Sequence, residues 1–148
     1  ADDVDIVVES ARQSGVDLRR WELHNLLPTG RLLPLEASDR RLLGVAVSEP
    51  LPSWDDAFRW FPARQGDPLI VHLHDRRRGF LLAIEADSAF RDLVLFVPPH
   101  RQAVCVEPYT CVTNAINLHP KGIASGLRVL APGQVWQTAL RVRFSPSA

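Results

Sequence analysis

Val104-Cys105-Val106-Glu107-Pro108-Tyr109-Thr110 sets one acid near the end of an apolar run and follows it with a proline. The run alternates. Val104 and Val106 face one way, and Ala103, Cys105 and Glu107 the other, the period-2 pattern of a strand buried on at least one side. Pro108 lacks the N–H that a ladder needs, so the strand is expected to stop there and leave Glu107 at a sheet rim. Partial desolvation at such a rim raises a carboxyl's pKa towards that of a useful base. Taken alone, the pattern is more plainly read as a surface glutamate that opens a loop. The wider chain decides between the two.

Outward from this stretch the chain is a series of short extended segments. Val4, Ile6 and Val8 share one period-2 face, with Asp3, Asp5 and Glu9 among the residues of the other, while Arg19, Trp21 and Leu23 alternate with Arg20, Glu22 and His24. Leu69 to Val71 and Phe80 to Ile84 flank Arg76-Arg77-Arg78-Gly79 as the two arms of a hairpin with a solvated tip. Leu93 to Val97, closed by Pro98-Pro99, is expected to be a central strand buried on both faces. Trp136, Thr138, Leu140, Val142 and Phe144 share one face of a last strand, entered from a turn at Pro132-Gly133. Asp87 to Arg91 and Phe58 to Ala63 are the stretches read as single helical turns. Twelve prolines and eight glycines punctuate these segments at intervals that suit an all-β antiparallel sandwich rather than α/β crossovers.

With 148 residues, 46% of them hydrophobic, residues 1–148 are expected to form one domain that buries roughly two-thirds of its unfolded surface. Seventeen basic residues balance seventeen acidic ones, so no global field draws in nucleic acid or an anionic membrane. No apolar stretch reaches bilayer length and the amino terminus is acidic, which reads as a soluble, cytoplasmic protein. Cys105 and Cys111, on either side of a turn, read as reduced buried thiols. His72 and His74 share a strand face. With no third ligand nearby, they read as polar residues on the open side of a sheet rather than as a metal site.

Four separated pieces stand in one order across nearly the whole chain. They are Leu27-Pro28-Thr29-Gly30 with Leu33-Pro34-Leu35; Trp54-Asp55-Asp56-Ala57-Phe58; Val104 to Thr110 followed by Asn114-Ala115-Ile116-Asn117; and Gly126 to Gly133. In that order they are similar to the carboxy-terminal part of the aldose 1-epimerases, also called galactose mutarotases. The resemblance implies a galactose mutarotase-like supersandwich, of which this chain is the C-terminal half. It implies that Glu107 is the base that takes the proton from the anomeric hydroxyl of an aldohexose, glucose or galactose, and that Asp55 accepts sugar hydroxyls. Opening an aldopyranose needs a base at O1 and an acid at the ring oxygen, each worth roughly 10² to 10⁴ in rate, and no metal or nucleotide cofactor. Trp54, beside Asp55, is the candidate for stacking on the sugar, and the other tryptophans read as packing. Tyr109 either lines the pocket or plugs its rim. Asn114 and Asn117 are expected to order the loop after Glu107.

Departures from the family's pattern are as informative. The family takes its acid from a histidine in a His-x-Tyr-Phe-like stretch, which this chain lacks; His24, His72, His74, His100 and His119 stand in other contexts. Asp56 occupies a position where many members carry a histidine, and Asn114 one where an aspartate is common. The chain alone is therefore expected to be inactive. Bare strand edges would pair it with a separate chain holding the other half, or with itself. Two other readings of the same fold are a non-catalytic carbohydrate-binding or sensing module, and a relative acting on hexose 6-phosphates. The latter needs a basic cluster at the pocket rim, and apart from Arg101 the arginines do not gather there.

Overall fold

Period-2 alternation becomes strand in nine places in the computed structural model, which describes residues 3–12, 16–45 and 50–146. The strands are β1 (Val4–Val8), β2 (Asp17–His24), β3 (Leu27–Leu33), β4 (Asp55–Phe61), β5 (Leu69–Asp75), β6 (Phe80–Ala86), β7 (Asp92–Phe96), β8 (Cys105–Tyr109) and β9 (Leu140–Pro146). They form two antiparallel sheets, β1-β5-β6-β9 and β3-β2-β4-β7-β8. The chain is an all-β sandwich. Its core is the pair of inner faces. Ile6, Val8, Leu69, Val71 and Ile84 come from one sheet, and Leu18, Phe58, Trp60, Leu93 and Leu95 from the other. Burying side chains of this size stabilises by about 1.5–3 kcal/mol each relative to exposure.

Several segments differ from expectation, for identifiable reasons. Phe58 to Ala63, expected as a helical turn, belongs mostly to β4, because Phe58 and Trp60 alternate into the core while Arg59 and Phe61 point the other way. Pro108 does not end its strand. β8 runs on to Tyr109, and the ladder persists through Leu93–Pro108 and Asp92–Tyr109. An edge strand pairs on one side only and so tolerates proline; Pro28 in β3 sits on the opposite edge of the same sheet. In β7, Leu93 and Leu95 are fully buried on the inner face, while on the outer face Asp92 is fully buried, Val94 packs on a second apolar cluster and Phe96 is half-buried, so both faces are covered, the outer one less completely. The last strand begins at Leu140 rather than Trp136. A turn does form at Asp87, whose carbonyl accepts from the Phe90 N–H at 3.0 Å. Short helical pieces at Glu9–Arg12, Ser38–Leu43, Ala115–Leu118 and His119–Lys121 had no period long enough to announce them.

Other expectations hold. β5 and β6 form the hairpin, and at its tip the Asp75 carboxylate accepts from the Arg78 backbone N–H and guanidinium, both at 2.8 Å. His72 and His74 are half-buried on the outer face of β5; both cysteines are free, but they are half-buried rather than buried, because Cys105 lies on the edge strand β8 and Cys111 in the loop after it. Among the described residues no helix is long and apolar enough to cross a membrane.

Packing thins at the β8 and β9 edges. Val104 just before β8, Val106 within it, and Phe80 and Leu82 of β6 opposite β9 only partly reach the core. Leu140, Val142 and Phe144 pair with Ala86, Ile84 and Leu82 and so continue an inner face, yet they are 44%, 54% and 68% exposed.

Candidate functional site

Directly opposed residues in an antiparallel sheet lie on the same face, and the register of β4, β7 and β8 defines three rows. They read Asp55–Phe96–Cys105, Ala57–Val94–Glu107 and Arg59–Asp92–Tyr109. All nine side chains are on the face of the five-stranded sheet that looks away from the main core.

The third row is anchored by a buried ion pair. Asp92 is fully buried and Arg59 nearly so. The Arg59 guanidinium donates to both carboxylate oxygens of Asp92, one contact being 2.9 Å, and the Trp21 Nε1–H donates to the same carboxylate at 2.8 Å. Arg59 also stacks over the Trp21 ring, 4.9 Å from its centroid. Burial pushes the Asp92 carboxyl upward, against the pull of Arg59 and of the indole N–H. One carboxylate thereby ties β2, β4 and β7 together beneath the open rows.

After β8 the chain folds back across this face. Val112, Leu118 and Ile123 pack on Trp21 and Ala57 in a second apolar cluster. Arg59 donates to the Ala124 carbonyl, and Val112 N–H to the Ser125 carbonyl at 3.0 Å. Asn114, at φ +69°, donates from Nδ2 to the Pro28 carbonyl at 3.1 Å and accepts from Asn117 Nδ2 at 2.7 Å, the loop-ordering role expected of this pair. Gly126 closes the loop at φ +81°, where a Cβ would stand 2.5 Å from the Thr110 carbonyl oxygen. The loop packs on Trp21, Ala57 and Val94, while Asp55 is exposed and Phe96, Cys105 and Glu107 are half-buried.

Of the four residues singled out in the sequence, three share this face. Glu107 is half-buried and its carboxylate accepts a hydrogen bond from Tyr109 Oη at 2.8 Å. Asp55 is exposed, on the far side of β7, two inter-strand spacings of about 4.8 Å each from the Glu107 strand. Tyr109 is itself half-buried and is the donor of the bond to Glu107. Trp54 is placed elsewhere. It lies in the inner core at 2% exposure, and its Nε1–H donates to the buried Asp39 at 3.0 Å, so its ring faces are packed rather than offered for stacking. Asp56 likewise turns inward, 2.7 Å from Arg20, which also reaches Glu36 at 2.6 Å. Arg101 is engaged with the Leu51 carbonyl at 2.9 Å.

Sequence reasoning missed Arg59 and Asp92. A charge set between Phe58 and Trp60, and an acid directly ahead of the run from Leu93 to Val97, were the available signals, because ions inside buried strands are almost always paired.

No protein-family model matches the chain. Among solved structures it is similar to a galactose mutarotase-like protein from Clostridium acetobutylicum, at a TM-score of 0.73 and 17% sequence identity. The match covers 98% of this chain and 42% of that one, so the chain spans less than half the length of its structural neighbour. At that identity the likeness establishes the fold, a galactose mutarotase-like β-sandwich.

The carboxylate of Glu107 raises the pKa of Tyr109, because the bond it accepts favours the protonated phenol; burial adds to the same shift. A raised folded-state value contributes stability that is present below the ordinary phenol value of about 10 and lost as pH rises through the folded value. Tyr109 is the only tyrosine, so phenolate absorbance reads this site directly. The native chain is expected to titrate above about 10 and Glu107→Gln to titrate lower; identical titrations would show that the contact is not made.

Proposed function

We propose that this chain carries the base-bearing face of an aldose 1-epimerase that interconverts the α and β anomers of an aldohexose, glucose or galactose. The observation that supports it most is a carboxylate held by a phenol, Glu107 on Tyr109, on the same sheet face as the exposed Asp55. In this reading Glu107 takes the O1 proton while an acid supplied from outside this chain protonates the ring oxygen. The C1–O5 bond breaks to the open aldehyde, rotation about C1–C2 presents its other face, and closure returns both protons. Tyr109 fixes the orientation of the Glu107 carboxylate, and Asp55 accepts from a sugar hydroxyl. Glu107→Gln keeps the shape but cannot take a proton, so anomer exchange followed by NMR on the full-length protein is expected to fall at least about a hundredfold. An unchanged rate would remove Glu107 from this role. Saturable sugar binding with no exchange in the native protein would favour a carbohydrate-binding module.

The same reading gives the open side of the sandwich an occupant: further strands of the same fold, on a separate chain or a second copy of this one. It is supported by the bare stripe of Leu140, Val142 and Phe144 and by the length of the structural neighbour beyond the match. Light scattering of the purified chain is expected to show association that Phe144→Lys weakens. A well-folded monomer across a wide concentration range would contradict it.

A further inference from the structure

At the other end of β7 and β8 from Asp55, a cavity of about 400 Å³ opens between the turn after β6, the start of the loop after β8, and the segment from Gly126 to Trp136. Among the described residues its lining includes Arg91, Arg128, Ser88, Thr110, Cys111 and Trp136, and no carboxylate. We propose that this cavity binds a tetrahedral oxyanion, a phosphate group free or esterified, through Arg91 and Arg128. The inference is independent of the sugar reading.

Three observations carry it. First, Arg91 is half-buried, and its enclosed Nη1 finds no acceptor among the described residues. Partial desolvation of a cation is normally offset by an anion. Burial lowers the pKa of this guanidinium, while Asp67 attracts it and Arg59 repels it. Second, each guanidinium rests on an indole. Arg91 lies 5.1 Å from the centroid of Trp60, and Arg128 lies 4.6 Å from that of Trp136. Stacking occupies the flat face of a guanidinium and leaves its in-plane N–H donors free, so both cations are oriented before any ligand arrives. Third, the nearby Asp87 is already committed. Its carboxylate accepts from Thr138 Oγ1 at 2.6 Å, from the Ala139 N–H at 2.7 Å and from the Ala89 N–H at 2.9 Å. Two oriented guanidinia with two hydroxyls alongside match the charge and donor needs of a phosphate dianion.

Calorimetric titration of the chain with inorganic phosphate, at ionic strength held constant with chloride, tests the proposal. Saturable binding is expected, weakened about tenfold or more by Arg91→Gln and also by Arg128→Gln, and unchanged by Arg40→Gln at an exposed position. A sugar phosphate that binds more tightly than inorganic phosphate identifies the ester as the ligand; equal affinity identifies the free anion. Absence of saturable heat with both overturns the proposal, as does native affinity in Arg91→Gln. Arg91→Met supplies a readout that a packing role would not: phosphate is expected to raise the melting temperature of the native chain and to leave that of Arg91→Met unchanged. An undiminished phosphate-induced rise in Arg91→Met would sink the site.

Discussion

The ion pair between Arg59 and Asp92 is the constraint on which the outer face of the five-stranded sheet depends. A carboxylate with no solvent exposure is tolerable only if its oxygens are filled, and Arg59 and Trp21 fill them from two neighbouring strands. Removing one partner from a buried pair costs about 3–5 kcal/mol, because the other charge stays desolvated. The pair therefore holds β2, β4 and β7 in one register, and the same guanidinium reaches the Ala124 carbonyl to pin the returning loop. Everything further along those strands inherits this alignment. Asp55 and Glu107 share a face because the rows that contain them are counted from the row that contains Asp92.

That alignment separates two kinds of carboxylate. Asp92, Asp39 and Asp56 are spent on structure, each closed in by arginine or indole donors. Asp55 and Glu107 are not. Glu107 accepts from the Tyr109 hydroxyl, a neutral donor, and Asp55 is exposed. A base that transfers protons needs an oriented carboxylate free of a tight cation, and this arrangement meets that requirement on the face that the β8 edge leaves open.

The fold was legible where apolar alternation or a continuous apolar run stood out, as in the hairpin around Arg76 to Gly79 and the segments of β1, β2 and β7. The errors cluster where one residue type overrode a pattern. Pro108 was read as a stop because proline lacks a ladder donor, but an edge strand has a side on which no donor is needed. Phe58 to Ala63 was read as a helical turn because Arg59 and Phe61 obscured the inward alternation of Phe58 and Trp60. Motif and alternation singled out Glu107, Asp55 and Tyr109, which the strand register sets on one face, whereas the tie between Tyr109 and Glu107 needed coordinates. Trp54 could not be assigned a face from its sequence neighbours, since it precedes β4 and its inward direction is fixed by a bond to Asp39 fifteen residues away. Arg59 and Asp92 are 33 residues apart, and nothing local marks them as partners.

The central claim is that a reducing sugar meets the rows formed by Asp55, Phe96, Cys105 and Glu107. Backbone amide shifts of the full-length protein titrated with galactose measure this most directly. The account expects saturable changes concentrated on those residues of β4, β7 and β8. Changes concentrated instead at His72 and His74 on the outer face of the other sheet, or no saturable change at all, would contradict it.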